Sequence, residues 1–303
     1  MGAWKKLGKL YSLPEGGVHP KLLSHTANPL PVLLDGDVYR IFYSSRDKDN
    51  RSSVGAVDMD IVKRSVVREH TEPLFEVGEK GSFYEAGVSI GNCYEADGKT
   101  YMLFMGWQNP DGGHWRGDIG RLRVMPDLSL QLDSAQPFMG VDAIDPISLS
   151  YPWVIKNADG SYSMWYGSTQ SWDAGNGEML HVINGASSHD GHNWKREGLA
   201  VPYQLGVAQA FSRPTVARDE HGYKMWFSYR SGAGETYRIG CASSKDTKEW
   251  KLALDQSGID VSTDGWDSEM IEYPFVFDHK GQRYMLYNGN GYGKTGFGLA
   301  VQV

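Results

Sequence analysis

Tyr39-Arg-Ile-Phe-Tyr43 returns along the chain as Tyr101-Met-Leu-Phe-Met105, Tyr162-Ser-Met-Trp-Tyr166, Tyr223-Lys-Met-Trp-Phe227 and Tyr284-Met-Leu-Tyr287. The lead tyrosines stand 62, 61, 61 and 61 residues apart. Just before each lies a turn: Asp35-Gly36, Asp97-Gly98, Asp159-Gly160, His221-Gly222 and Lys280-Gly281. An aromatic segment behind a glycine turn reads as a strand, and self-similarity at a fixed period marks a repeat architecture. Five equal units account for the whole of the 303 residues. The sequence therefore predicts an all-β, five-bladed propeller with four antiparallel strands per blade. It forms one domain over 1–303, its blades starting near 28, 85, 151, 213 and 272.

The third repeat displays the unit most fully. Tyr151-Pro-Trp-Val-Ile155 reads as an inner strand, Asn157-Ala-Asp-Gly160 as a hairpin turn, Ser161 to Gly167 as the second strand and Met179 to Ser187 as the third. Ser188-His-Asp-Gly-His-Asn-Trp194 then turns into an outer strand. The fifth repeat stops at a third strand, Gly298 to Val303. Trp4-Lys-Lys-Leu-Gly-Lys-Leu10 resembles Trp194-Lys-Arg-Glu-Gly-Leu199, so the N-terminal strand is expected to close the last blade and cover its edge. Trp165, Trp226 and Phe104, at matching places, are expected as core.

Composition narrows the partners. A net charge of −7 with no Lys/Arg run argues against nucleic acid. The start, Met1-Gly-Ala-Trp-Lys-Lys, lacks the apolar stretch of a signal peptide, and no segment reaches membrane-spanning length. Cys93 and Cys241 fall at unrelated places in different repeats. A disulfide framework is not expected, and the cytoplasm is the expected compartment. No dinucleotide fingerprint, P-loop, Gly-x-Ser-x-Gly or His-Glu-x-x-His is present, so no cofactor is expected. His19 and His25 are read as structural histidines rather than metal ligands.

Inner strands of a propeller run beside the axis, so their first residues converge. Those starts are His25-Thr-Ala-Asn28-Pro29, Phe83-Tyr-Glu85-Ala-Gly87, Asp145 to Pro152, Phe211-Ser-Arg213-Pro214 and Ser268-Glu269-Met-Ile-Glu272-Tyr273-Pro274. Four place a residue before proline: Asn28, Tyr151, Arg213 and Tyr273; the second repeat is read as placing Glu85 there. Such a ring of polar groups is costly to bury unpartnered and points to a solvated pocket.

At this point the chain resembles the five-bladed propeller glycosidases, such as glycoside hydrolase families 43, 32, 62, 117 and 130. The likeness lies in the blade rhythm and in the phrases Gly-x-Tyr-x-Met-Trp-Tyr-Gly at 160–167 and Ser-x-Asp-Gly-x-x-Trp at 188–194. In families 43 and 32 an Asp opens the first blade, a second Asp lies mid-chain and a Glu acts as acid. Here the first start offers His25 and Asn28, and the fourth offers Arg213; Asp145 alone matches that set. The resemblance implies the class of chemistry, a carbohydrate substrate and an O-glycosyl hydrolase, without transferring residue roles.

Glycoside cleavage ordinarily uses two carboxyl groups, one kept protonated and one ionised. The candidates are Glu85, Glu272, Glu269 and Asp145. Glu269 and Glu272, three apart on an extended strand, face opposite sides. Glu272 directly precedes Tyr273-Pro274, as Ser150 and Ser212 precede their own X-Pro pairs, while Glu269 aligns with Glu85. Arg213 is a candidate for an acidic sugar or phosphate. Rim loops add Trp107, His114, Trp115, Arg116, Asp118, Trp172, Tyr229 and Asn288, whose flat rings and polar tips suit sugars.

The expected function is cleavage of a small or terminal glycoside by carboxylate acid/base chemistry, with inversion, in carbohydrate or polysaccharide metabolism. A phosphorylase or glycosyl transferase on the same fold, with Arg213 and Arg116 or Arg230 holding phosphate, is the alternative. A non-catalytic carbohydrate-binding propeller is the third.

Overall fold

A computed structural model describes residues 2–232 and 234–303. The chain opens with β1 (Trp4–Tyr11). A first group follows: β2 (Ser24–Asp35), β3 (Val38–Arg46), β4 (Ser52–Asp60) and β5 (Ser65–Phe75). The second is β6 (Gly87–Ala96), β7 (Lys99–Gln108), β8 (Arg116–Val124) and β9 (Leu130–Leu132). The third is β10 (Ser148–Lys156), β11 (Tyr162–Ser171), β12 (Leu180–Ser188) and β13 (Lys195–Leu199). The fourth is β14 (Ala210–Asp219), β15 (Gly222–Arg230), β16 (Arg238–Ser244) and β17 (Trp250–Leu252); the last is β18 (Glu272–His279), β19 (Gln282–Asn288) and β20 (Phe297–Gln302). Within each group every strand pairs antiparallel with the next.

One parallel bridge, Ser52 with Gly87, joins the first two groups into an eight-stranded sheet, and His181 with Ala210 joins the next two. In the last group β1 pairs antiparallel with β20 and supplies the fourth strand. Packing repeats that relation. Trp165 of the third group meets Trp250 of the fourth edge-on at 5.5 Å, and Trp226 of the fourth meets Trp4 in the same way at 5.7 Å. Trp4 thus does for the last group what Trp250 does for the fourth. The first group also touches the last: Tyr39 lies against Phe277 at 5.3 Å and bonds His279, whose other nitrogen meets Asp37.

Second strands carry the core, since their aromatic side chains are buried on both faces. Trp165, Trp226 and Phe104 are buried, and so are Phe42, Tyr166 and Leu286. Phe104 stacks with Phe83 at 5.8 Å. Burial of these rings dominates the apolar area removed from water. Both cysteines are free thiols, and burial pushes Cys93 up to about 12 and Cys241 up to about 11. Among the described residues no helix is long and apolar enough to cross a membrane.

Each inner strand carries a bulge near its start. Register slips between Ala27 and Leu30, Ile90 and Cys93, Ser150 and Trp153, Ser212 and Thr215, and Glu272 and Phe275. Asn28, Tyr151, Arg213 and Tyr273 sit in these bulges in the left-handed region, with φ of 57°, 39°, 47° and 53°. A bulge re-aims a side chain, and non-glycine residues in this region cost about 1–3 kcal/mol each. The second repeat departs from the sequence reading. Its bulge falls at Gly91-Asn92, six residues past Glu85, so Glu85 is not the partner of the other four. Glycine is required at 91 because a Cβ there would lie 2.3 Å from the Pro152 carbonyl oxygen.

Candidate active site

A cavity of about 440 Å³ opens at the end of the strand groups where inner strands begin and second strands finish. All five groups contribute to it: Asn28 and Arg46, then Trp107, then Tyr151 and His181, then Arg230, then Tyr273. A wider groove of about 1240 Å³ lies at the opposite hairpins, where Asp219, Glu220, Lys224, Lys245 and Arg283 interleave opposite charges. It holds none of the candidate residues.

Six of the residues singled out in the sequence line the cavity: Asn28, Tyr151, Tyr273, Trp107, Trp115 and Arg230. The Tyr151 hydroxyl donates to that of Tyr273 at 3.2 Å, and burial raises both phenols above their ordinary range. Trp107 donates through Nε1 to the Ser52 hydroxyl at 3.3 Å. Trp115 meets Trp172 edge-on at 5.0 Å, and His114 stacks on Trp172 at 4.4 Å, forming an aromatic rim beside the wall. Asn28 is buried, and its side-chain Nδ2 has no partner.

Glu272 directly precedes the wall residue Tyr273. It is fully buried, and neither carboxyl oxygen has a hydrogen-bond partner. Its place before the bulge is that of Ala27, Ser150 and Ser212 in other groups, all three of which line the cavity. Burial holds its acid form well above the ordinary carboxyl range, while the charges of Arg46 and Arg230 pull back. A buried carboxyl without partners keeps its proton.

The other proposed carboxylates are engaged elsewhere. Asp145 is buried but saturated: Tyr166 donates at 2.8 Å, Asn184 at 2.7 Å, and Arg196 forms an ion pair with it. Glu85 turns back to the Gly81 amide of its own loop. Glu269 is exposed, and its main chain is held by Asn290, Thr236 and Arg238. The expectation of two converging carboxylates therefore fails on geometry.

Arg213 is also corrected. Its guanidinium donates to the backbone carbonyls of Tyr273 at 2.7 Å, Pro29 at 2.9 Å and Gly91 at 3.5 Å. It is 1% exposed, and burial lowers it to about 9. Arg213 ties four groups together beneath the cavity and has no face left for substrate. Asn288 likewise holds Asn28 N–H and the carbonyls of Thr26 and Gly296. Tyr229 packs into the core cluster. Arg116 faces Asp118 at 3.4 Å; Asp118 is buried, with Oδ1 unpaired. His25 bonds Ser24, and burial, with the charges of Arg46 and Lys294, lowers it to about 4. His19 accepts from the Lys21 amide and faces Glu72 at 3.4 Å.

Arg46, His181 and Tyr237 line the cavity without having been singled out. Arg46 had a signal: it stands seven residues after Tyr39, as Arg230 stands seven after Tyr223. Arg230 is held by Glu178 at 2.8 and 3.0 Å and lies over the Tyr237 ring at 5.0 Å. His181 is clasped between the Ser150 and Thr169 hydroxyls, both at 2.7 Å, and burial, then the Arg230 charge, lowers it to about 4. It is a neutral imidazole near pH 7, with no sequence mark to separate it from other buried histidines.

The fold is similar to that of several solved glycoside hydrolases. A glycosyl hydrolase from Bacteroides ovatus superposes with a TM-score of 0.73 at 13% identity, over 99% of this chain and 93% of that one. A structure from work on family 130 mannoside phosphorylases and glycoside hydrolases that target β-1,2 mannosidic linkages in Candida mannan gives 0.74 at 14%, over 99% and 93%. A thermostable family-43 glycoside hydrolase gives 0.69 at 16%, over 96% and 91%. No family model matches the chain. The chain belongs to the same family as Uncharacterized protein Rv1502 and Uncharacterized protein MT1551 of Mycobacterium tuberculosis, each 43% identical over 301 residues and 99% of both chains.

Proposed function

We propose that the protein is a carbohydrate-active enzyme that cleaves a small or terminal glycoside in this cavity, with Glu272 as the proton donor. The observation that carries the reading is the fully buried, unpartnered Glu272 carboxyl beside a wall of tyrosines, tryptophans and arginines. The proton of Glu272 passes to the glycosidic oxygen, the bond from that oxygen to the anomeric carbon breaks, and the leaving group departs as an alcohol. The oxygen of water or of a phosphate then bonds to the anomeric carbon, and the proton that this nucleophile gives up restores the acid form of Glu272 by way of solvent. The reading takes the five strand groups as blades of one closed, five-bladed propeller domain over 1–303. Its two free thiols fit a reducing compartment.

A second reading concerns that nucleophile. Among the described residues no Asp or Glu is a lining residue of the cavity, Glu272 directly preceding one, whereas Arg46 and Arg230 are. A site without a second carboxylate lacks the usual base for water, and guanidinium groups suit a phosphate that arrives already charged. Turnover of aryl glycosides and oligosaccharides, with and without inorganic phosphate, tests both. Glu272→Gln should lower kcat about 10²–10⁴-fold, the usual share of a general acid. Undiminished turnover in that variant excludes Glu272. A rate that needs phosphate selects phosphorolysis.

A further inference from the structure

Most arginines of this acidic protein sit against a carboxylate: Arg40 on Asp58, Arg121 on Asp133 and Arg283 on Asp278 are typical. Arg46 differs. Among the described residues no carboxylate is in ion-pair contact with it; its hydrogen-bond partner is the Asn50 side-chain oxygen, which accepts from Nη1 at 3.0 Å. A guanidinium carries five N–H donors, so most of the Arg46 fork is left for a ligand. The neighbouring wall residue Asn28 adds a buried amide donor, Nδ2, that no protein group satisfies. A buried unpaired donor such as Asn28 Nδ2 is rare enough to require an explanation, and it and the half-buried Arg46 fork call for the same thing, an acceptor.

The charge count around the cavity points the same way. Arg230 is neutralised by Glu178. The Arg46 charge is felt at Glu272, whose acid form burial favours, and at His25 and Tyr151, and none of the three forms an ion pair with it. Arg46 thus brings a positive charge without an ion-pair partner to the cavity wall, inside a chain whose net charge is −7. The half-buried guanidinium keeps its remaining N–H donors open at the cavity, where an oxyanion can form charge-assisted hydrogen bonds with them.

We propose that the cavity takes an anionic glycoside, a sugar bearing a carboxylate or comparable oxyanion, held by the Arg46 guanidinium with Asn28 Nδ2 as a second donor. The proposal rests on reading this cavity as the glycoside site, and it names the substrate class. Asn50 is a positioning residue, since it acts by holding Arg46.

Calorimetric titration with D-glucuronate, D-glucose and inorganic phosphate tests it without requiring turnover. Glucuronate should bind the wild type at least about tenfold more tightly than glucose, within the range of a charge-assisted hydrogen-bonded pair. That preference should shrink with added salt. Arg46→Gln should bring the ratio to about one, and Arg46→Lys should restore part of it because the charge returns without the fork. Phosphate binding that depends on Arg46, with glucuronate no better than glucose, overturns the proposal in favour of a free phosphate co-substrate. Equal affinities for all three, or an unchanged ratio in Arg46→Gln, also overturn it. An Arg46-dependent preference in a protein that turns over no glycoside leaves the anion site standing and sinks the cleavage reading instead.

Discussion

The hydroxyl of Tyr151 donates to that of Tyr273 at 3.2 Å although 122 residues separate them. Their rings lie 5.3 Å apart between centroids. Both occupy the same place in their repeats, in a left-handed bulge ahead of a proline, and Arg213 at the matching place in the fourth group donates to the Tyr273 carbonyl. The residues before proline thus meet one another and close the floor and wall of the cavity. Their strained backbone is offset by these long-range contacts.

Replacing either phenol by Phe should cost about 1 kcal/mol of unfolding free energy, the net value of one hydrogen bond. Because the two groups share that bond, the double variant should cost less than the sum of the singles. Denaturant titration of the four proteins measures the coupling. Strict additivity would show that the contact contributes nothing to stability.

Arg213→Met should destabilise the protein by roughly 2–4 kcal/mol, because it leaves buried backbone carbonyls unpaired. The three carbonyls at risk belong to Tyr273, Pro29 and Gly91. Thermal unfolding reads the loss. A variant as stable as the wild type, with substrate binding lost instead, would return Arg213 to the binding set.

Glu85→Gln and Asp145→Asn should separate what the sequence treated together. Glu85 bonds only within its own loop, so its variant should keep turnover within about twofold and stability within about 0.5 kcal/mol, as surface changes do. Asp145→Asn should cost about 3 kcal/mol by removing the charge that faces buried Arg196. The surviving folded fraction should turn over at the wild-type rate. A kcat defect in Glu85→Gln, measured on the folded protein, would overturn the placement of Glu85 outside the chemistry.

The Glu272 proton makes stability depend on pH. The native state keeps this carboxyl protonated above its ordinary value of 4.5, while the unfolded chain releases the proton. The native form then binds more protons, so stability falls as pH rises from about 4.5 towards the raised native value, by at most about 1.4 kcal/mol per pH unit. Glu272→Gln should therefore gain stability relative to the wild type at pH 8 and gain little or nothing at pH 4. The same difference in melting temperature at both values would refute a raised Glu272.

Deleting residues 2–11 should strip β1 from β20 and expose that edge along the whole register from Trp4 to Tyr11. Trp226 would lose its partner Trp4, and Asp267 would lose Lys6. A lower melting temperature and concentration-dependent association are expected, since open edges pair with other chains. Light scattering and calorimetry check both; a monomer of unchanged melting temperature would show that β1 is dispensable.

The repeat rhythm made most of the fold legible. A strand that must bury aromatic residues on both faces writes a local, periodic pattern, so the second strands at Tyr39, Tyr101, Tyr162, Tyr223 and Tyr284 stand where the spacing puts them. The N-terminal strand was readable because Trp4-Lys-Lys copies Trp194-Lys-Arg. Glu272 could be preferred over Glu269 from its match to Ser150 and Ser212, a local fact, whereas alternation between the two did not apply, because β18 begins at Glu272 and Glu269 lies outside it. The second repeat misled because its bulge lacks the proline; a glycine at 91 does the same backbone task through close approach to Pro152.

The sequence by itself determined the five-fold rhythm, the antiparallel groups and the closing strand, because these follow from spacing and alternation within one repeat. Only the tertiary structure decided which polar groups remain available. Arg213 is used up by carbonyls of three other groups, and Asp145 by Arg196, 51 residues away, whereas Arg46 and Glu272 are left without hydrogen-bonded charge partners. Whether a buried charge is spent on the fold or kept for a ligand depends on neighbours brought in from other repeats, and no local pattern encodes them.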